Sequence, residues 1–514
     1  MKHDSNRFVI MHSVGFAVAV GALTFITDKN VFVFPESTDE RYSLALMDYC
    51  ICKAIVFIVL FALFYGFFTL LFSRGELKDS LWEVVKCAAL YLPLMAVILY
   101  IKIPEGFLSN DEYSICNNAV NLVHDTWFNY MTVYYYIVSF MLIPVTYAPI
   151  ITKIAVELLV IGYCVYRSRS YFGKKAGSFM YILFLLYPVI AYTTSAHRLP
   201  VYFLLYLLVF DKLLFDLLEK KDISWFMAFL VMFAGAVLTQ WRTEGIYLLV
   251  LIPILMLIVY PRFRNRKTTV VIVLSYIAIQ YILSIPQNGV TSDNLGGAAN
   301  DRMKPFYAYT ITNMYRNGLD TVKNSKDLET VDRYLSTDAI EAINEHYEDI
   351  NYEDVLILIK EEFKGVREDA GYTQYYDFTK AVQNIILNNP DVFIRTRWGA
   401  FCYSALPFHI SFSGTGVREL ISFAVSVIKS LSYNLFIPLV FIAVCCPVSL
   451  IMRRWYSFFV FAALLAHWAI VFILAPASYF KYYFPVYIMA YFYMIVLLIW
   501  YFSGRKKGLS CPVI

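Results

Sequence analysis

The strongest constraint on this chain is a succession of windows, each about 20 residues long, that carry almost no charge. They fall at 8–27, 51–72, 83–103, 148–166, 178–195, 199–218, 225–241, 246–261, 268–285, 428–451, 456–474 and 482–502. A helix of roughly 17–25 apolar residues crosses the hydrocarbon layer, and only structures that satisfy their own backbone hydrogen bonds can do so. Of 514 residues, 60% are hydrophobic and only 16% charged, which excludes an ordinary soluble domain. The expectation is an all-α polytopic membrane protein with about twelve transmembrane helices. The apolar stretch 134–145 is too short to span before Pro144 and Pro149, and reads as an interfacial or re-entrant piece.

Orientation follows from the basic residues, because cytoplasmic loops accumulate Lys and Arg. One alternating set of loops holds Arg74 and Lys78, Arg167 to Lys175, Lys220 and Lys221, Arg262 to Lys267, Arg453 and Arg454, and the tail Arg505, Lys506 and Lys507. Both termini are therefore expected in the cytoplasm. The first apolar run, Phe8 to Ile26, is longer than a signal-peptide core and lacks a clear cleavage site, so it reads as a retained helix. The opposite loops, 28–41, 104–133, 196–198, 242–245, 286–427 and 475–481, face outside. Four regions result: a helix pair over 1–80, a transmembrane core over 81–285, an extracytoplasmic helical domain over 286–427, and C-terminal spans with a basic tail over 428–514.

The long outer region carries helix punctuation. Asp338 and Glu341 look like a capping pair, apolar residues recur at helical spacing through 353–363, and 372–387 does likewise before Asn389 and Pro390. The first large outer loop, FLSNDEYSICNNAVNLVHDTWFNYMTVYYY over 107–136, is polar and aromatic between two apolar segments. Its centre is the adjacent pair Asp111 and Glu112. A carboxylate at the bilayer surface reaches water and lipid headgroups, the geometry for taking a proton from a hydroxyl. A capped helix start is the plainer reading of the same residues.

Other ionisable groups collect on the same side. His197 and Arg198 lie in SAHRLP, Arg242 and Glu244 in WRTEG, Arg302 and Lys304 in NDRMKPFYAY, and Lys481 with Tyr482 in ASYFKYYFP. Arg and Lys at this level are natural ligands for phosphate oxygens, although Arg242 and Glu244 also suit a simple pair across their turn. The tyrosines at 130, 134, 135, 136, 307, 309, 479, 482 and 483 are expected mainly as interfacial belt residues, some able to stack on a sugar ring. Lys153 and Glu157, four apart in one span, are expected to pair with each other.

The net charge of +4 lies at helix ends rather than in one patch, so nucleic acid is not an expected partner. Nine cysteines lack CxxC spacing and read as small core residues, with Cys116 and Cys402 the one pair placed to bridge outside. No cofactor is indicated. Two adjacent carboxylates make a thin site for a divalent metal.

With FLSNDEY, NYMTVYYYIVSFMLIP, AHRLP, LTQWRTEG and APASYFKYYFPVYIM in this order from about Lys102 onward, the chain resembles the GT-C superfamily of integral-membrane glycosyltransferases. The resemblance implies a sugar donor linked to polyprenyl phosphate, a glycan, lipid or protein acceptor, surrounding membrane lipid, and a setting such as the bacterial cytoplasmic membrane. It also implies a catalytic carboxylate at Asp111, with Glu112 beside it, and donor phosphate contacts from Arg198, Arg242 or Lys481. The family's acidic loop commonly follows the first span and here follows the third, which leaves Glu36, Asp39 and Glu40 as alternatives. A transporter or flippase of a lipid-linked or polar solute, a glycan polymerase or ligase, and a non-catalytic assembly factor are the competing expectations.

Overall fold

The computed structural model describes residues 2–102, 110–123, 128–194, 199–293, 303–346, 365–405, 417–475, 478–509 and 511. Among them every regular element is helical, and the one β contact is an isolated bridge between Leu335 and Val366. Among the described residues eight helices are long and apolar enough to cross a membrane: Arg7–Asp28, Tyr42–Phe72, Glu76–Tyr100, Ala148–Phe172, Arg266–Gln287, Ser426–Ile451, Trp455–Leu474 and Phe480–Lys507. That is the pattern of an integral membrane protein.

The other four expected spans take different forms. Window 178–195 is two helical segments, Lys174–Phe184 and Tyr187–Thr193, bent by 64°. The helix Leu199–Glu219 is long enough but buries Asp211 and Asp216 and also carries Lys212. Trp225–Trp241 has 17 residues and Glu244–Val259 is likewise below spanning length. Apolar runs predict helix well; a polar face or a bend inside the run decides whether it crosses in one piece.

The chain divides into two compact units, one comprising 1–290, 445–460 and 488–514, the other 291–444 and 461–487. In the first, α1 (Lys2–Asp28) and α2 (Tyr42–Phe72) form a hairpin fixed by a buried ion pair between Asp28 and Lys53. Lys53 also donates to Thr24 at 2.7 Å, and Tyr49 donates to Asp28 at 2.6 Å. A charge inside an apolar hairpin is tolerated only with such a full set of partners. Next come α3 (Glu76–Lys102), α4 (Asn110–Val120), α5 (Tyr130–Leu142) and α6 (Ala148–Phe172). One apolar core joins Ala45, Cys52 and Val56 of α2 to Ile115 and Ala119 of α4 and to Val133, Tyr136 and Ile137 of α5.

Helix α6 is central: 56% of its apolar window is buried, against 17% for α3, whose free face suits lipid. The two cross at Gly162. A Cβ there would meet the Val84 carbonyl oxygen at 2.4 Å and Ala88 Cβ at 3.1 Å, so only glycine permits the approach. Gly162→Leu is expected to force α3 from α6 and lower stability by about 1–3 kcal/mol, as overpacking does. The check is the thermal midpoint of the detergent-solubilised protein; an unchanged midpoint would refute the tight crossing.

At the basic end of the same helix, Arg167 reaches Asp216 at 3.0 Å and Glu219 at 3.2 Å, and Tyr260 donates to Asp216 at 2.7 Å. Tyr91 and Tyr181 donate to the carbonyls of Phe184 and Cys87, both at 2.6 Å, tying the bent segment to α3.

The second unit holds a helical cluster, Lys304–Arg316, Ser325–Asp332, Thr337–His346, Tyr372–Asn388 and Pro390–Ala405, around Ile311, Met314, Val331, Ile340, Phe378 and Val382. The expected helix over 372–387 is present; the one over 353–363 lies outside the described residues. The expected cap of Thr337–His346 by Asp338 and Glu341 is replaced. Asp332 accepts from the Thr337 N–H at 2.9 Å and Ser336 from the Ala339 N–H at 3.3 Å, because residues before the helix present oxygens to its first N–H groups.

Asp332 also accepts a two-pronged contact from Arg367, each oxygen 2.7 Å from Nη2. Burial pushes its carboxyl up, but the Thr337 backbone N–H and the Arg367 guanidinium outweigh this and hold it below the ordinary carboxylate value. A depressed folded-state pKa gives stability that is present above the unfolded value of about 3.9 and is lost as pH falls through the folded one. Asp332→Asn is therefore expected to destabilise this cluster at neutral pH and to flatten its acid limb. Hydrogen exchange of the Thr337–His346 amides between neutral and acidic pH reads this directly, and equal pH profiles would contradict it.

Candidate functional site

Helix α4 is the short amphipathic element that carries the two sequence-selected carboxylates. Glu112, Ile115 and Ala119, at intervals of three and four, are buried at 1%, 0% and 0% exposure, whereas Tyr113 is 61% exposed. This periodicity turns Glu112 inward and leaves its neighbour Asp111 half-buried at the rim. The loop after α1 holds the far end of α4, where the Val33 N–H donates to the Val120 carbonyl at 2.9 Å.

Helix α5 bolts this region together. Its N-cap Asn129 accepts from the Met131 N–H, and the Tyr130 N–H donates to the Gln287 side chain, both at 2.9 Å. Tyr134 donates to Asp48 at 2.5 Å. Tyr135 contacts Thr152 at 3.0 Å, one residue before Lys153, and its ring meets that of Trp241, one residue before Arg242, at a tilt with centroids 6.2 Å apart. Tyr130, Tyr134, Tyr136, Tyr309 and Tyr483 are all buried rather than belt residues, because their hydroxyls or rings find partners inside the protein.

Beside α4 lies a feature whose chemistry the sequence reading missed. Lys153 and Glu157 are 1% and 0% exposed, and neither the Lys153 ammonium nor the Glu157 carboxylate makes a hydrogen bond to the described protein. The expected pairing of these two does not close. Lys153 instead lies in the electrostatic field of both Glu157 and Glu112. Glu157 faces Thr193, whose hydroxyl donates to the Val189 carbonyl at 2.7 Å. The spacing of four is the signal in the sequence: it predicts a bond, whereas the structure has Lys153 between two carboxylates, Glu157 and Glu112.

Arg242 and Glu244 pair with each other at 2.7 Å and are mostly buried, the plainer of the two sequence readings. They stand next to Tyr202, whose hydroxyl would lie 3.0 Å from a Cβ on Gly245. Lys481 and Tyr482 belong to the second unit, as does Lys304. The Lys481 ammonium lies 4.8 Å from the Tyr479 ring centre and 6.0 Å from that of Tyr482, and the His467 ring nitrogen donates to the Tyr482 carbonyl at 3.1 Å. Lys304 sits over the Tyr334 ring at 5.5 Å, and burial pulls its ammonium below its usual value. Arg198 and Arg302 lie outside the described residues. The first unit thus sets Asp111 and Glu112 on α4, with Lys153 of α6 in the field of Glu112 and Arg242 at the end of another helix that α5 touches.

None of the nine cysteines forms a disulfide, Cys116 and Cys402 included. Among the described residues no three His, Cys, Asp or Glu side chains converge as metal ligands. No protein-family model, curated protein or solved structure matches this chain.

Proposed function

We propose that the chain is a membrane glycosyltransferase of the GT-C type, moving a sugar from a polyprenyl-phosphate donor to an acceptor hydroxyl at the extracytoplasmic face of a bacterial cytoplasmic membrane. The observation that carries this reading is α4, a short helix between the long apolar α3 and the shorter apolar α5, that presents one half-buried and one buried carboxylate. In this account the four incomplete windows complete about twelve crossings, both termini are cytoplasmic, and the helical cluster of the second unit is the extracytoplasmic domain.

Asp111, at the rim, accepts the acceptor hydroxyl's proton as the oxygen attacks the anomeric carbon and the lipid phosphate departs. Glu112 and Lys153 hold α4 in place by charge. Arg242, at the end of a helix that α5 also touches, stabilises the leaving phosphate with Glu244 orienting it, and Arg198 is a further donor contact. A photoreactive polyprenyl phosphate tests the reading. Labelling of peptides from 102–133 that unlabelled donor competes away is expected; labelling that donor leaves unchanged counts against it.

One observation favours a second reading. Lys153, Glu157 and Asp211 are charges buried in apolar helices, and the segment at 174–193 is broken, both features of transporters that move a solute past a fixed site. A carrier of a lipid-linked or polar solute accounts for these groups, and its test is uptake into proteoliposomes.

A further inference from the structure

An apolar groove of about 380 Å³ runs between the bent segment Lys174–Phe184 and the C-terminal helix, walled by Phe179, Ile182, Ile495, Leu498, Ile499 and Phe502. Two irregularities shape it. On one side the chain passes from α-helix to a 3₁₀ turn at Ser178–Met180, and on the other Trp500–Gly504 forms a π-helical turn, which swings Phe502 and Ser503 to the groove. A π turn interrupts a continuous helix at an energetic cost, and such turns recur where a helix binds something. Here it is held by the Trp500 indole N–H donating to the Leu509 carbonyl at 2.9 Å.

The same two chain segments carry exposed cations beyond the groove's apolar walls. Lys174 and Lys175 begin the bent segment, and Arg505, Lys506 and Lys507 directly follow the π turn. Lys507 donates to the Phe172 carbonyl at 2.8 Å, fastening the two basic segments to each other. From Arg167 to Phe184 and from Ile495 to Cys511 the sequence contains no Asp or Glu. The carboxylate whose field reaches Lys174 is Glu83, already paired with Lys86 at 2.9 Å. An apolar slot ending in unbalanced positive charge matches one kind of molecule: acyl chain in the slot, phosphate among the lysines.

We propose that this groove binds an anionic glycerophospholipid of the surrounding bilayer leaflet, its acyl chain along Phe179, Ile182 and Phe502 and its headgroup against Lys174, Lys175 and Lys506. The site lies away from α4 and is independent of the transferase reading. Charge complementarity selects the occupant: a zwitterionic lipid fills the slot equally well, but its own ammonium offsets the attraction of its phosphate to the lysines, whereas an anionic headgroup keeps a net charge for them.

The test is native mass spectrometry of the full chain in detergent, titrated separately with phosphatidylglycerol and phosphatidylcholine. Wild type is expected to retain phosphatidylglycerol at a concentration about tenfold or more below that needed for phosphatidylcholine. The triple variant Lys174→Gln, Lys175→Gln, Lys506→Gln should lose that preference. Ile182→Trp, which fills the slot and leaves the charges, should weaken both lipids. Each variant is compared at a thermal midpoint matching wild type, with single replacements used where the triple does not fold. Equal retention of the two lipids by wild type, or an unchanged preference in the charge variants, overturns the proposal; unchanged binding by Ile182→Trp removes the groove from it.

Discussion

Asp111→Asn is expected to lower sugar transfer by about 10²–10⁴-fold, the usual contribution of a positioned base, with donor binding and thermal midpoint near wild type. Asp111 is half-buried at the start of α4, where the amide keeps the size and hydrogen-bonding reach of the carboxylate but cannot accept a proton. Glu112→Gln is expected to behave differently. Glu112 is buried on the packed face of α4 and shares its field with Lys153, which makes no hydrogen bond to the described protein. Neutralising it leaves an ammonium inside an apolar helix with Glu157 as its remaining named counter-charge, so the thermal midpoint falls along with activity. The contrast is measured by running rate and melting curves on the same preparations. A Glu112→Gln protein that melts like wild type but is inactive would exchange the two roles.

Arg397→Ala is expected to produce the largest loss of stability of any single replacement in the second unit. Arg397 is 1% exposed and acts as a cap: its guanidinium donates to the carbonyls of Phe472 at 2.6 Å, Ala475 at 3.0 Å and Val471 at 3.4 Å. These carbonyls close the C-terminal end of Trp455–Leu474, where the last groups of a helix run out of intrahelical N–H partners, although Val471 also accepts from the Ala475 N–H at 2.9 Å. The group also lies against the Phe306 and Tyr309 rings at 6.0 and 5.9 Å. Alanine removes the donors, strands the buried carbonyls and leaves a cavity, together about 3–5 kcal/mol. Arg397→Lys retains the charge but not the fork and should recover only part of the loss. Thermal midpoints of the three proteins in detergent decide it; an alanine variant that melts with wild type would mean that the cap contributes little.

The sequence made the eight long apolar helices readable because about 20 mostly apolar residues in a row have few other folds open to them. It also placed the helix at 372–388 through its spacing and its terminating Asn389–Pro390. It was less informative where one residue serves two elements. Asp216 inside an apolar run is explained by Arg167 and Tyr260, distant in sequence, and nothing local announces that partnership. The same holds for Arg397, which reads as an ordinary helix cation until its position under another helix end is seen. At α4 the two carboxylates were legible as a pair. Their division into a buried member and a rim member needed the helix phase, which adjacent residues cannot reveal without the packed face.

The most direct measurement is release of radiolabelled sugar from a panel of polyprenyl-phosphate donors by the purified wild-type chain and by Asp111→Asn, in proteoliposomes at matched folding. The account predicts turnover of at least one donor by wild type and its loss in the variant, with donor still bound. Failure to bind or turn over any donor, or equal rates in the two proteins, contradicts it and leaves solute transport through the buried charges of α6 as the reading to pursue.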